Sequence, residues 1–395
     1  MDVTLDNLRE QLKDLNPQAR TLALSELVSA WQAGRISCKP PSDLVNLHCH
    51  TCFSYNGYGH SPSSLAWLAR EMGWRALATV DFDVLDGVEE TLAACDRVAV
   101  RGAAGVETRA YLPEFATREI NSPGEPGILY HIGVGFVTRQ APPAARTVLE
   151  AMRQRAAERN RDMVARINAH LEPVVIDYNR DVLPLTPAGN ATERHILIAY
   201  DVAARRAFPQ REALVAFWAA KLGVETSQIE ASLSAAPAPN ELVRSKLMKR
   251  GSVGYAQPGP TTFPSLDEVT QAIIACGAIP LYAWLDGASQ GEQQIEELLT
   301  LLIAKGVAGI NIVPDRNWNF ADSKVREVKV CELYRVVELA RSLDLPIIVG
   351  TEMNKAGQRL VDDFAAEPLR PLRGDFLQGA DFLYGHTVMQ RALGR

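Results

Sequence analysis

Apolar positions along this chain change period several times, and the changes divide it. Residues 1–36 carry helical spacing: Leu5, Leu8, Leu12 and Leu15, then Leu22, Leu24, Leu27, Val28 and Trp31. Asn16-Pro17 separates two helices, because proline fits a helix's first turn, and Pro40-Pro41 closes the segment. From Leu44 onward short apolar runs alternate with helical patterns. Strands are predicted at Leu44–Cys49, Ala76–Val80, Gly102–Val106, Ile128–Val137, Ala278–Ala283, Gly309–Val313 and Pro346–Val349. Helices are predicted at Ser63–Met72, Gly87–Arg97, Leu266–Cys276, Gln293–Lys305 and Lys324–Leu343. Such alternation implies parallel βαβ units, and seven strands of this kind imply a closed or nearly closed barrel.

One region breaks the alternation. Between residues 144 and 260 the pattern is mostly helical and charged, with helices predicted at Arg153–His170, Arg194–Ala207 and Arg211–Leu222. Proline-rich stretches at residues 235–240 and 257–260 punctuate its end. The expected organisation is a helical extension (1–41), a first barrel part (42–143), an inserted helical subdomain (144–260) and a second barrel part (261–395).

Composition narrows the function classes. The net charge of −6 argues against generic binding to nucleic acid or to an anionic membrane, and leaves room for a small phosphorylated substrate in a local site. No apolar run approaches the ~20 residues needed to span a bilayer. The opening Met1-Asp2-Val3-Thr4-Leu5-Asp6 is polar and acidic, unlike a signal peptide, so a cytoplasmic protein is expected. The six cysteines are scattered and read as reduced thiols. Cys49-His50-Thr51-Cys52 has no second CxxC to complete a zinc ribbon.

The candidate chemistry begins at Val45-Asn46-Leu47-His48-Cys49-His50-Thr51. A strand sends residues i and i+2 to one face, so His48 and His50 project together from a strand end. The chain has only seven histidines, and a side-by-side pair is a natural metal holder. In parallel barrels chemistry sits at the carboxyl ends of the strands. There the sequence places Asp81 and Asp83 after the second strand, Glu107 after the third, and Glu352 and Asn354 after the seventh, with His131 within the fourth. Taken singly, a carboxylate after a strand is as often a helix cap, and a strand histidine is more often core. Together they form a ring of imidazoles and carboxylates that suits zinc, manganese or iron. His60, His170 and His386 read as loop, helix-end and surface residues.

These residues resemble the PHP superfamily, named for polymerase and histidinol phosphatase. The resemblance is closest to the branch of nucleoside-bisphosphate and RNA 5′-end phosphoesterases. It is carried by His48-Cys49-His50-Thr51, Gly105-Val106-Glu107, His131, the arginine-rich Arg159–Val164 helix segment and Thr192-Glu193-Arg194-His195-Ile196-Leu197. It spans about residues 44–358. The resemblance implies a seven-stranded, distorted TIM-like (β/α) barrel that binds one to three divalent metals and hydrolyses a phosphoester. The implied ligands are His48, His50, Glu107, His131 and His195, with Asp83, Glu352 and Asn354 as substituted ligands. Asp81, Asp83, Arg109 and Lys355 become candidate catalytic or anion-binding residues, with Arg118 beside them.

The chain also departs from that family. Phe82, Trp284 and Asn354 stand where the family has histidines, and Tyr55-Asn56 where it has an acid. Glu193 stands where the branch has an arginine. Phe and Trp cannot bind metal, so fewer ions than the family norm are expected. The alternatives are a degenerate metal-binding or regulatory barrel, or a single-metal lyase or isomerase.

Overall fold

The structure is a computed structural model that describes residues 4–234 and 240–394. The first three residues of the polar N-terminus and most of the proline-rich stretch at 235–240 lie outside the described residues. The chain divides into two compact units, Met1–Met152 with Pro260–Arg395, and Arg153–Gly259.

In the first unit seven strands form one sheet in chain order: β1 (Val45–Cys49), β2 (Ala76–Phe82), β3 (Arg101–Tyr111), β4 (Ile128–Val134), β5 (Ile279–Trp284), β6 (Ile310–Ile312) and β7 (Ile347–Val349). A bridge between Cys49 and Glu352 brings the two edges together, so the sheet is a nearly closed barrel. Helices α1 (Leu5–Gln11), α2 (Pro17–Gln32), α3 (Pro62–Met72) and α4 (Val88–Val98) belong to the first part of this unit. Helix α5 (Pro143–Leu171) begins in this unit and continues into the second. The second unit adds α6 (Glu193–Ala207), α7 (Arg211–Leu222), α8 (Thr226–Ser234) and α9 (Glu241–Met248). The barrel unit resumes with α10 (Leu266–Ala275), α11 (Gln290–Gln293), α12 (Ile295–Ala304), α13 (Asp315–Trp318), α14 (Ser323–Ser342) and α15 (Arg373–Ala392).

The expectation of parallel strands throughout fails at β4. Pairs β1–β2, β2–β3, β5–β6 and β6–β7 are parallel, whereas β4 runs antiparallel to both β3 and β5. The reason lies in the connection. A parallel return needs a crossover, usually a helix, but residues 112–127 form only a short 3-10 turn at Pro113–Phe115. Two strand ends also differ from the reading of the sequence. β2 continues through Asp81 to Phe82, and β3 continues through Glu107 and Arg109 to Tyr111. β4 stops at Val134 because Gly135 turns left-handed (φ 84°) against the His386 ring, where any side chain would collide.

Two large apolar clusters build most of the barrel unit's core among the described residues. One joins strand residues such as Val80, Ala104, Ile132, Leu281 and Ile310 to helices α10, α12, α14 and α15. In the other, Leu8, Leu12 and Leu27 of the N-terminal helices pack on Trp67, Leu77 and Cys95, so the extension covers the barrel's β1–β2 side. Arg20 is buried there and stays charged by pairing with Glu90 at 2.5 Å and with the Asp14 and Leu15 carbonyls. The helical unit has its own core, including Ile167, Leu171, Ile196, Tyr200, Trp218 and Leu247. No helix among the described residues is long and apolar enough to cross a membrane.

Candidate metal centre

Three buried side chains meet where β1 ends and β3 passes its midpoint. His48 lies near the end of β1, His50 just beyond it, and Glu107 in β3. Glu107 Oε2 is 3.2 Å from His48 Nε2 and 3.2 Å from His50 Nε2. β2 lies between the two strands. Its Phe82 pairs in register with Glu107 and stacks on His50, with ring centroids 4.2 Å apart at 23°.

The outer nitrogens of both rings fix what the inner ones can do. Asn311 Nδ2 donates to the Ile348 carbonyl, which leaves Asn311 Oδ1 facing His48 Nδ1 at 2.9 Å. Ser54 Oγ donates to Asp81 Oδ1 at 2.6 Å, so it accepts from His50 Nδ1 at 3.3 Å. With a proton on each Nδ1, both neutral rings turn Nε2 lone pairs toward the Glu107 carboxylate. His50 Nε2 accordingly has no hydrogen-bond partner among the described residues, although a carboxylate oxygen lies 3.2 Å away. Three electron-pair donors converging on one point make a cation site, for a proton on His48 Nε2 or for a metal ion. Imidazole and carboxylate oriented by a further layer of hydrogen bonds fit a divalent transition metal.

The electrostatics agree. Burial opposes the charge on Glu107, yet the charge and hydrogen bond of His48, joined by His50, hold its carboxyl down to about 2. Burial likewise opposes a charged His48, but Glu107 first and Glu352 next push its pKa up. Without a metal, a proton on His48 compensates the carboxylate; a metal ion would compete with that proton.

Asp81 is buried inside β2 and shapes the loop that follows β1. It accepts from Thr51 N at 2.8 Å, Thr51 Oγ1 at 2.7 Å and Ser54 Oγ. Burial raises its pKa, and these hydrogen bonds offset part of that shift. Glu352 bonds to β1 through its backbone. Its N–H donates to the His48 carbonyl and its carbonyl accepts from His50 N–H, both at 2.7 Å. Glu352 and Met353 are both left-handed (φ 62° and 56°), a strained pair beside the site. Glu352 Oε2 accepts from Arg316 at 2.6 Å and from Asn354 Nδ2 at 3.0 Å.

The other expected members have partners of their own among the described residues. His131 is a correction to the ligand ring drawn from the sequence. In the antiparallel β3–β4 pair it opposes Thr108, while Glu107 opposes Ile132. Opposed residues share a face and successive residues alternate, so His131 faces away from Glu107. Its Nε2 lies 3.2 Å from Thr270 Oγ1 in α10, and burial pushes its pKa down to about 4. It is a core histidine. Asp83, with φ 59°, accepts from Thr108 Oγ1 at 2.5 Å. His195 belongs to the helical unit, where its Nδ1 accepts from Thr192 N–H at 3.1 Å and caps α6; burial pushes its pKa down to about 4. Glu193 beside it is paired with Arg244 at 2.8 Å and Lys249 at 2.9 Å.

Arg109 is tied to Glu125 at 2.7 Å and lies over Phe263, Arg118 is tied to Glu297 at 3.0 Å, and Lys355 is exposed. His60 lies 2.6 Å from Ser64 Oγ, away from the cluster. Trp284 packs within the barrel core. The sequence reading missed Ser54, Asn311 and Arg316. The signal for Asn311 was a polar residue inside Ile310-Asn311-Ile312. That for Arg316 was its place just after β6, the position rule already applied to the other strands.

No family model and no curated protein matches this sequence. Solved structures do share its fold. A protein from Bifidobacterium adolescentis assigned as a metal-dependent phosphoesterase aligns with a TM-score of 0.52 at 20% identity, over 86% of this chain and 98% of that one. An amidohydrolase from Chromobacterium violaceum, solved with sulfate and no metal, aligns with a TM-score of 0.51 at 18% identity, over 86% of this chain and 99% of that one.

Proposed function

We propose that this chain is a metal-dependent hydrolase of the PHP type acting on a small phosphoester. The observation that carries the reading is the convergence of two Nε2 lone pairs and one carboxylate oxygen in a buried cluster. The shared fold with a protein assigned as a metal-dependent phosphoesterase supports the substrate class. His48, His50 and Glu107 would hold one zinc, manganese or iron(II) ion, which when bound lowers the pKa of water toward ~7 and polarises a phosphoryl oxygen. Three protein donors leave a position open for water or substrate.

The chain's own residues prepare that chemistry. Asn311, and Asp81 through Ser54, keep both imidazoles in the tautomer that presents Nε2. Phe82 covers one face of His50 with apolar surface and keeps water off it. Arg316 is half-exposed beside the centre and bonds only one oxygen of Glu352, so its remaining N–H groups can receive an anionic substrate oxygen. The acidic neighbours Glu352 and Asp81 keep total phosphate contact modest, which favours a monoester over a bisphosphate.

Purification without chelator followed by elemental analysis tests the reading, together with turnover on phosphomonoesters, phosphodiesters, nucleoside 3′,5′-bisphosphates and amides. About one transition-metal ion per chain and metal-dependent phosphate release are expected. A protein that takes up no zinc, manganese or iron sinks the proposal. Full turnover after chelation, or turnover of amides alone, sinks its mechanism or its substrate class.

A further inference from the structure

We propose a second anion site at the opposite end of the barrel, independent of the metal centre, that takes a phosphorylated small molecule. A groove of about 530 Å³ opens where β1, β2 and β3 begin, lined by Pro41–Asp43, Arg70, Gly73–Arg75, Ala99 and Arg101. That volume lies in the range of small-molecule pockets. The length of β1 separates the groove from His50, roughly 16 Å at ~3.3 Å per residue, so one ligand cannot occupy both places.

Charge defines what fits. Arg75 and Arg101 share Asp381 at 2.6 Å each, and Arg75 and Arg373 share Asp43. With Arg70, four guanidinium groups face two carboxylates, a surplus of two positive charges that matches a dianion. Arg70 is fixed over the Trp31 ring at 4.9 Å and donates to the Lys39 carbonyl, so its charge is held at the rim before any ligand arrives. Trp74 is 3% exposed, and its indole N–H has no acceptor among the described residues; neither do the Nε atoms of Arg70 and Arg75. These three atoms lie beneath the surface, so a groove ligand would be held by the terminal N–H groups of Arg75 and Arg101, whose side chains are 30% and 43% exposed.

The walls are firm. Gly73 is left-handed (φ 71°), and any side chain there would strike the Pro40 carbonyl. This close approach lets the Gly73 carbonyl accept from both Ser42 N–H at 2.9 Å and Ser42 Oγ at 2.8 Å, pinning the loop before β1 to the loop before β2.

The test uses the full chain carrying His48→Ala and treated with chelator, so that the metal centre cannot take the probe. Inorganic phosphate, pyrophosphate and adenosine 5′-monophosphate are titrated by calorimetry at low and high salt. Saturable one-to-one binding of at least one probe is expected, weakening with salt because exposed charges are screened. Adding Arg70→Gln with Arg101→Gln should weaken it at least tenfold. Asp381→Asn, which frees Arg75 and Arg101, should tighten it several-fold and keeps the proposal open to test if the double variant does not fold. Absence of saturable binding at millimolar probe, or affinity unmoved by both sets of substitutions, overturns the proposal.

Discussion

Two fully buried strand histidines, His48 in β1 and His131 in β4, have opposite uses. Each sits in an apolar run of similar length, and each would pass for a ligand or for core by composition alone. β1 runs parallel to β2 and places His48 beside the carboxylate of Glu107, which raises its pKa. β4 runs antiparallel and places His131 against the Thr270 hydroxyl, where burial lowers its pKa to about 4. Strand direction and face decide the role of the imidazole, and both are set by the connections between strands rather than by the strands themselves.

The sharpest way to break this comparison is to delete each ring. His48→Ala should lower metal affinity by more than ~100-fold, beyond the usual cost of losing an orienting residue, and abolish metal-dependent turnover. His131→Ala should leave the metal content of the folded protein unchanged and cost roughly 1–3 kcal/mol of stability, from a cavity and a Thr270 hydroxyl left without its partner. Metal content by elemental analysis and unfolding by denaturant give the two readouts. Equal metal loss in both variants would return His131 to the centre.

A second pair sharpens it with the aromatic residues. Phe82 and Trp284 end strands on the two sides of β4, yet only Phe82 stacks on a candidate ligand. Trp284→His should destabilise the barrel by roughly 3–5 kcal/mol and leave metal affinity alone, since the indole fills the core. Phe82→His should shift metal affinity several-fold, because a donor replaces the ring on His50. A reversed pattern would mean that the indole, not the phenyl, borders the centre.

The sequence made part of this legible for a physical reason. The i, i+2 rule is local, so the pairing of His48 with His50 follows from the strand alone. Glu107 was found because polar residues at the end of an apolar run announce themselves, even though β3 proved longer than its Gly/Ala-rich start suggested. The direction of β4 was hidden: it depends on whether residues 112–127 fold into a crossover helix, and that segment contains no strong helical period to decide it. Ser54 and Asn311 were hidden for another reason. Each acts through a histidine; a serine in a loop carries no signal at all, and the one polar residue inside Ile310-Asn311-Ile312 marks a position without saying what it serves.

Asp81 tests how far that supporting layer matters. Asp81→Asn keeps the shape but replaces one carboxylate oxygen with an amide that donates. Ser54 Oγ or Thr51 then loses an acceptor, and Ser54 need no longer accept from His50 Nδ1. Metal affinity should fall by about 10–100-fold, with the ion still bindable at high concentration. Unchanged affinity in competition with a chromogenic chelator would mean that His50 keeps its tautomer without the Asp81 network.

The smallest expected effect separates the two histidines by pH alone. An imidazole held near 4 in the fold stays neutral at pH 5, whereas in the unfolded chain, near 6.5, it is charged. The unfolded state therefore binds more protons between those values, and stability falls as pH drops through that window and levels off below about pH 4. By pH 5 the contribution of His131 amounts to up to about 2 kcal/mol. His131→Gln removes the titratable group and keeps an amide able to meet Thr270. Its Tm should thus fall less between pH 7 and pH 5 than that of the parent, although it starts lower. His48 gives the opposite sign in metal-free protein: its raised pKa adds stability below about pH 6.5 that is lost as pH rises through the folded value. Parallel Tm curves for the parent and His131→Gln would mean that His131 is already charged in the fold, and the contrast between the two strands would fail with it.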